Sequence, residues 1–218
     1  MSRSFLDLDL IEGGELRRIL ERAIAYKRGD PSRPMAGRTL AMVFDKPSTR
    51  TRVSFEVAAR RLGGDAIVLS SRDMQLGRGE TIADTARVLS RYVDAIVLRT
   101  DAHAKLLELD AHAAVPVVNG LTDRSHPCQI MADILTIEEH RGPIAEQRLA
   151  WVGDGNNVLT SLVHAAVQLG FALEVATPAA YAPDPALIGW ARQRNGRVRV
   201  GDDPAAAATG ADAVLTDP

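Results

Sequence analysis

The run Ser48-Thr49-Arg50-Thr51-Arg52 places three hydroxyl groups and two guanidinium groups next to one another. It lies between a short apolar run and a segment of helical period, so we expect it to join a strand to the first turn of a helix. The first N–H groups of a helix lack internal partners and, with the helix dipole, favour a bound anion. Guanidinium groups match phosphate oxygens. The run therefore predicts a phosphate site without a Walker glycine pattern, with a capped helix and two solvated arginines as the ordinary alternative.

Further candidates come at the carboxyl ends of other predicted strands. Arg99 directly follows the apolar run 95–98. His126 comes just before the predicted start of a helix that carries Gln129. Taken singly, Arg99 would be a surface cation and His126 a helix-terminal residue. Open α/β sheets bind ligands at the carboxyl ends of their strands, so the joint placement favours a functional role. Gln75 lies in a glycine-rich loop of the kind that adapts around a ligand.

The segment 151–157, Trp-Val-Gly-Asp-Gly-Asn-Asn, also follows a predicted strand and opens a predicted helix. Its two glycines resemble part of a dinucleotide-binding fingerprint. The third glycine and the acidic residue on the next strand, which that fingerprint requires, do not follow. The segment therefore argues against a nucleotide site.

The elements that would position these residues alternate along most of the chain. Runs that are apolar throughout indicate strands buried on both faces, and helices between them indicate parallel pairing. The pattern restarts after Arg141-Gly142-Pro143, which is a helix stop. We predict an α/β fold of two domains, each a parallel sheet flanked by helices, over residues 1–141 and 145–218. The predicted strands are 39–44, 66–69, 95–98, 115–118, 149–152, 173–176, 198–200 and 213–215, and the main helices 51–62, 80–92, 103–111, 127–140, 158–169 and 185–194.

The composition excludes several classes of protein. The chain has 218 residues, 46% hydrophobic and 25% charged, with a formal net charge of −2. This balance is typical of globular proteins and argues against a dedicated nucleic-acid binder. The single cysteine, Cys128, excludes an intramolecular disulfide and a cysteine-based zinc site, and we interpret it as a packing residue. No apolar run approaches the roughly 20 residues that span a bilayer, and no signal peptide is evident, so we expect a soluble cytoplasmic protein without nucleic-acid or membrane partners.

Two motifs together, residues 48–52 and His126-Pro127-Cys128-Gln129, resemble the carbamoyl-phosphate signature of the aspartate and ornithine carbamoyltransferases. The resemblance extends from about residue 6 to residue 218. It implies that the first domain binds carbamoyl phosphate, with Arg99, His126 and Thr51 as catalytic residues around the carbonyl oxygen. Gln129 would accept from the carbamoyl NH₂ group. The full set of carbamoyl-phosphate-binding residues that the resemblance implies is Ser48, Thr49, Arg50, Thr51, Gln75, Arg99, His126 and Gln129.

The resemblance also bears on the second substrate and on assembly. Asn157 and Asp217 match positions that bind ornithine, and the loop around Gln75 has the ornithine-type form rather than the lysine of the aspartate branch. The implied reaction transfers the carbamoyl group to the δ-amine of L-ornithine, giving L-citrulline and phosphate in arginine metabolism. No metal and no organic cofactor are implied. Because Gln75 would act in a neighbouring subunit, the resemblance implies a homo-oligomer, a trimer in this family.

The sequence departs from the family after Asp217. The family continues with a Ser-Met-Gly loop, a Cys-Leu-Pro segment and a returning helix with another arginine, none of which is among the 218 residues. The ornithine-binding domain is therefore expected to be incomplete at its C-terminus. Two alternatives stay open: a carbamoyltransferase for another amine such as putrescine, N-acetylornithine or aspartate, and a truncated, non-catalytic carbamoyl-phosphate-binding protein.

Overall fold

The computed structural model describes residues 4–70 and 79–217. Single turns of 3-10 helix occur at Leu8–Leu10, Ile144–Glu146 and Ala179–Tyr181. None of the helices in the described part of the chain is both long and apolar enough to cross a membrane. The other elements, in chain order, are α1 (Gly13–Lys27), β1 (Thr39–Phe44), α2 (Thr49–Arg61), β2 (Asp65–Ser70), α3 (Ile82–Leu89), β3 (Ala95–Arg99), α4 (His103–His112), β4 (Val117–Leu121), α5 (Pro127–Arg141), β5 (Arg148–Val152), α6 (Asn157–Leu169), β6 (Ala172–Ala176), α7 (Pro185–Gln193), β7 (Val198–Gly201), α8 (Pro204–Ala208) and β8 (Ala213–Leu215).

Contacts group these elements into two compact units. The first comprises Asp30–Asp123 with the segment that ends at Leu6, and the second comprises Asp7–Gly29 with the chain from Arg124 onward. Helices α1 and α5 belong to the second unit because both pack against α6. The contacts therefore divide the chain at a different place from the predicted boundary between residues 141 and 145. The proposal that residues 1–141 and 145–218 form two functional domains stays a prediction.

The first unit is built on a four-stranded parallel sheet in the order β2-β1-β3-β4. Along β1, Ala41 and Val43 lie in one buried apolar cluster, whereas Leu40, Met42 and Phe44 lie in another. Successive strand residues point to opposite faces of a sheet. Helices α3 and α4 contribute to the first cluster and α2 to the second. The inner strands β1 and β3 are thus buried on both faces, as the unbroken apolar runs predict, whereas the edge strand β2 has no buried residue.

Two elements of this unit, β4 and α3, differ most from their predicted bounds. Strand β4 begins at Val117 rather than at residue 115, because Pro116 has no N–H to donate to a neighbouring strand. It then continues to Leu121. Helix α3 is shorter than the predicted 80–92: Thr81 caps its start, and at its end the Ser90 hydroxyl donates to the Ala86 carbonyl at 2.7 Å. Such side-chain bonds to the backbone compete with continuation of a helix.

The second unit contains a parallel sheet in the order β7-β6-β5-β8. Its central strand β5 is fully buried at Leu149, Ala150 and Trp151. Helix α6 is buried around most of its circumference and ends at Gly170, whose left-handed φ of 77° suits a glycine. Helices α1, α5 and α7 pack against α6. This unit therefore places the start of α6 and the ends of β5 and β8 on a rigid apolar support.

Candidate active site

The loop after β1 ends at Ser48, the residue before the first turn of α2. The Ser48 side chain makes no capping hydrogen bond. The Ser48 hydroxyl therefore accepts no hydrogen bond from the first N–H groups of α2. Thr51 is buried, whereas Arg50 and Arg52 are exposed. The loop presents the hydroxyl, amide and guanidinium donors that the sequence predicts for a phosphate site.

Arg99 is the last residue of β3, the strand that pairs with β1. Its Nη1 donates a hydrogen bond to Thr51 Oγ1 at 2.9 Å. Its Nε is buried and has no hydrogen-bond partner among the described residues. Burial also lowers the pKa of the Arg99 guanidinium. Burial removes water from the guanidinium, and an anionic ligand would offset that loss. The environment of Arg99 therefore favours an anion.

A bulge in β4 lies directly beside Arg99. Leu98 pairs with Asn119, but Arg99 pairs with Leu121, so Gly120 is an extra residue in β4. A Cβ atom on Gly120 would lie only 3.2 Å from the carbonyl oxygen of Leu98, which favours glycine at this position. Bulges bend a strand and redirect neighbouring side chains. The sequence prediction had no signal for this bulge, although it fixes the end of the strand that pairs with Arg99.

In the second unit, His126 is the N-cap residue of α5 and is followed by Pro127 at the first helical position. Proline suits that position because its missing N–H would have no partner within the helix. The backbone N–H of His126 donates to Ser161 Oγ, on α6, at 2.8 Å. The imidazole is therefore carried at a fixed point where α5 begins against α6.

Gln129 lies in the first turn of α5 and is exposed. Its Nε2 donates to Asp133 Oδ1 at 2.8 Å. A carboxylate accepts, so the amide NH₂ group faces Asp133 and the amide oxygen is the atom that can accept from a ligand. Burial raises the pKa of Asp133, the hydrogen bond from Gln129 opposes this, and the charge of Asp217 raises the pKa further.

The two predicted ornithine-binding residues both adjoin Asn156, a residue that the sequence analysis did not select: Asn157 follows it in the chain, and Asp217 is hydrogen-bonded to it. Asn157 begins α6 and Asp217 follows β8. Asn156 Oδ1 accepts hydrogen bonds from the N–H groups of Val158 at 2.9 Å and Leu159 at 3.1 Å. Its Nδ2 donates to Asp217 Oδ2 at 3.0 Å. Asn156 therefore caps α6 and at the same time holds the carboxylate of Asp217.

Gln75 lies outside the described residues, so its predicted role stays a prediction. Cys128 is partly buried, and desolvation raises the pKa of its thiol to about 12. A thiol with such a pKa stays protonated at neutral pH and is a poor nucleophile. This fits the interpretation of Cys128 as a packing residue.

A buried histidine cluster lies elsewhere in the second unit. His164 Nδ1 is 3.2 Å from Asp7 Oδ1 and 3.8 Å from Asp9 Oδ1. Within the described residues, these three side chains form the group whose geometry could hold a metal ion. Although burial raises the pKa of Asp7, the hydrogen bond and charge of His164 bring it below its ordinary value. The cluster ties the N-terminal segment to α6, a pairing that sequence spacing could not reveal.

The structure therefore joins some predicted residues directly and others through partners that were missed. Thr51 and Arg99 are hydrogen-bonded to each other in the first unit. In the second unit, Gln129 and Asp217 are each held by an unpredicted neighbour, Asp133 and Asn156. Both neighbours carried a signal in the sequence. Asp133 lies one helical turn after Gln129, and Asn156 is a favoured capping residue before a helix.

Two family models match the sequence. Aspartate/ornithine carbamoyltransferase, carbamoyl-P binding domain, matches residues 3–139, and Aspartate/ornithine carbamoyltransferase, Asp/Orn binding domain, matches residues 145–218. The chain is 57% identical over 220 residues to the ornithine carbamoyltransferase of Nitrobacter winogradskyi, covering 99% of this chain and 71% of that protein. It is 56% identical over 219 residues to that of Brucella ovis, covering 99% of this chain and 70% of the relative.

Solved structures resemble the chain equally well. Ornithine carbamoyltransferase from Pyrococcus furiosus has a TM-score of 0.93 at 49% identity, covering 100% of this chain and 72% of that chain. The enzyme from Thermus thermophilus has a TM-score of 0.92 at 41% identity, with coverages of 100% and 75%. These similarities confirm the predicted fold class of two parallel sheets flanked by helices.

Proposed function

Since the chain belongs to the aspartate/ornithine carbamoyltransferase family, we propose that it transfers the carbamoyl group of carbamoyl phosphate to the δ-amine of L-ornithine. The products are L-citrulline and phosphate. The observation that carries this proposal in the structure is the hydrogen bond of 2.9 Å between Arg99 and Thr51. It joins the end of β3 to the first turn of α2, where hydroxyl, amide and guanidinium donors are presented together.

The first unit is assigned the phosphate and part of the carbonyl group. Ser48, Thr49, Arg50 and Thr51 bind the phosphate through hydroxyl groups, the Arg50 guanidinium and the N–H groups of the first turn of α2. Arg99 bridges phosphate and carbonyl oxygen, and its hydrogen bond to Thr51 supports this assignment. Gln75, from the loop outside the described residues, is assigned to the same substrate.

The second unit is assigned the remaining contacts. His126 donates to the carbonyl oxygen, and Gln129 accepts from the carbamoyl NH₂ group, which agrees with the orientation that Asp133 gives its amide. Asn157 and Asp217 bind ornithine, and the carboxylate of Asp217 is suited to the α-ammonium group. Asn156 acts through Asp217 and is a positioning residue.

The chemistry is acyl transfer without a protein nucleophile. The neutral δ-amine attacks the carbamoyl carbon and the carbonyl oxygen becomes an oxyanion. The carbonyl group then re-forms as the C–O bond to phosphate breaks, and the attacking nitrogen gives one proton to the leaving phosphate. Arg99, His126 and the Thr51 hydroxyl stabilise the oxyanion, and each such donor is worth about 3–4 kcal/mol in comparable oxyanion holes. Arg50 and the start of α2 stabilise the phosphate as it leaves.

The finer parts of the proposal concern organisation. We assign residues 1–141 to carbamoyl-phosphate binding and residues 145–218 to ornithine binding. The assembly is a homo-oligomer, because Gln75 would serve a neighbouring subunit, and membership of the family favours a homotrimer. The protein is cytoplasmic and acts in arginine biosynthesis. Sedimentation of the purified chain tests the trimer, and mixing of Gln75→Ala subunits with Arg50→Ala subunits tests shared sites by recovery of activity.

The test of the reaction is citrulline formation from carbamoyl phosphate and ornithine by the purified chain. Arg50→Ala is expected to lower kcat/KM by at least about 100-fold, because a charged phosphate ligand is lost. Arg91→Ala, which removes an exposed arginine from the same unit, is the matched control and is expected to keep full activity.

The competing functions give different results in this assay. Citrulline formation at a lower kcat/KM than carbamoylation of putrescine, N-acetylornithine or aspartate would assign another acceptor. Binding of carbamoyl phosphate in calorimetry without carbamoylation of any of these amines would indicate a non-catalytic binding protein. A chain that shows neither binding of carbamoyl phosphate nor turnover would overturn the proposal.

A further inference from the structure

Asp45 lies at the carboxyl end of β1, just before the loop that leads to Ser48. Its backbone N–H donates to the carbonyl oxygen of Arg99 at 2.9 Å, which continues the pairing of β1 with β3. Its carboxylate Oδ2 accepts from Thr100 Oγ1 at 2.6 Å. The start of the phosphate loop is therefore bound both to Arg99 and to the residue that follows Arg99.

Lys105, in the first turn of α4, completes this network. Its Nζ lies 3.1 Å from Asp45 Oδ2 and 3.0 Å from Asp101 Oδ1. The Asp45 side chain is 10% exposed and that of Lys105 is 39% exposed. The hydrogen bond with Asp101, opposed by burial and assisted by the bond with Asp45, raises the pKa of Lys105. Lys105 therefore keeps its positive charge at neutral pH beside a largely buried carboxylate.

A carboxylate in this position has two opposing effects on a phosphate site. It gives Thr100 a charge-assisted acceptor, which is stronger than a neutral one. Under the proposed function, however, the adjoining loop binds a phosphate group with two negative charges. A nearby like charge in a partly desolvated site weakens anion binding, and salt screens the repulsion where the site is open to solvent. The ammonium of Lys105, which also pairs with Asp101, offsets the charge of Asp45 while leaving the hydrogen bond to Thr100 in place.

We propose that Asp45 and Lys105 form a charge-compensated positioning pair for the carbamoyl-phosphate site. Asp45 holds the residue after Arg99 and so fixes the guanidinium opposite Thr51, and Lys105 prevents the Asp45 carboxylate from repelling the phosphate. Neither side chain is assigned a contact with substrate. This inference rests on the proposed function and adds two residues that act on it through Arg99.

The test compares the wild-type chain with Lys105→Met and with the double variant Asp45→Asn/Lys105→Met. Lys105→Met is expected to raise the Kd and KM for carbamoyl phosphate about tenfold, because it leaves the largely buried carboxylate of Asp45 without its cation. The KM for ornithine is expected to stay within about twofold. The increase is expected to shrink when salt rises from about 0.05 M to about 0.5 M. The double variant is expected to return the Kd to within about threefold of wild type, because the largely buried carboxylate is removed together with its cation and the amide oxygen introduced at position 45 still accepts from Thr100. The carboxylate of Asp101 remains, but its side chain is 49% exposed, so solvent and salt screen its charge.

Arg60→Met is the matched control, since it removes a positive charge from an exposed ion pair with Glu56 on α2. It is expected to leave the Kd unchanged. A purely structural role for Lys105 would make the double variant worse than the single one and insensitive to salt, and that result overturns the inference. So does a Lys105→Met chain with the Kd of wild type. A wild-type chain that neither binds carbamoyl phosphate nor forms citrulline overturns the proposed function itself, and the positioning role falls with it.

Discussion

Arg99 combines a hydrogen bond to Thr51 with a buried Nε atom that has no partner among the described residues. A lysine can place a positive charge there but cannot bond in two directions from one planar group. We expect Arg99→Lys to lower kcat/KM for carbamoyl phosphate by about 100-fold to 1,000-fold, the range seen when one oxyanion donor is removed. Steady-state kinetics measure this loss, and Arg91→Lys serves as the control. A loss below about tenfold would show that charge alone is sufficient.

Among the described residues, the amide of Gln129 is oriented by its hydrogen bond to Asp133. An asparagine at position 133 would carry both a donor and an acceptor, so the Gln129 amide could turn and present its NH₂ group to the substrate. We therefore expect Asp133→Asn to raise the KM for carbamoyl phosphate by about threefold to tenfold, as loss of one hydrogen bond does. In a Gln129→Met background, the same change is expected to have no further effect. An equal effect of Asp133→Asn in both backgrounds would contradict this orienting role.

Among the elements, the start of α6 connects stability with substrate binding. Asn156 caps the helix through two backbone N–H groups and also bonds Asp217. We expect Asn156→Ala to lower the free energy of unfolding by about 1 kcal/mol, as loss of an N-cap does, and to raise the KM for ornithine severalfold. Asp184→Ala removes the cap of α7 without touching Asp217 and is the matched control. If both variants changed the KM for ornithine equally, the effect would come from stability rather than from Asp217.

The elements that could be predicted from the sequence are those that a local pattern determines. The strands β1, β3 and β5 are short apolar runs bounded by polar residues, and their positions agree with prediction within one residue. Helix α3 was predicted too long because the periodicity does not show that the Ser90 side chain bonds back to Ala86. The bulge at Gly120 escaped prediction because it depends on the register between β3 and β4, which involves two separate segments.

Over the whole molecule, the candidate site shows the same contrast between features that a local pattern determines and features that depend on contacts between distant segments. The residue types suited to phosphate binding are visible in one run of the sequence, because strand, loop and helix start are consecutive. Their partners are distant in sequence: Arg99 and Thr51 are separated by 48 positions, and Asn156 and Asp217 by 61. Such pairs arise only when the sheets assemble. Pattern alone therefore predicted the phosphate loop, while the roles predicted for Arg99, His126 and Asp217 depended on resemblance to a family.

Long-range ion pairs in the second unit lower the pKa of two carboxyl groups, those of Glu138 and Asp7. Glu138 on α5 accepts two hydrogen bonds from Arg17 on α1, with N–O distances of 2.5 and 2.8 Å, and one from the N–H of Ile144 at 3.0 Å. Although burial raises the pKa of Glu138, the bonds from Arg17 and Ile144 bring it below 4.5. The pKa of Asp7 is likewise lowered, by His164 against burial.

A carboxylate whose pKa is lower in the folded than in the unfolded chain binds its proton first in the unfolded state. Its contribution to stability is therefore complete above the unfolded pKa, about 4.5 for Glu138 and 3.8 for Asp7, and is lost as the pH falls through the folded value. We expect the free energy of unfolding, measured with urea, to fall steeply between about pH 5 and pH 3. Glu138→Gln is expected to be less stable at pH 7 but to reduce that slope by up to about 1.4 kcal/mol per pH unit, the limit for one proton. The exposed Glu146→Gln is the control, and an unchanged slope in Glu138→Gln would show that acid acts elsewhere in the chain.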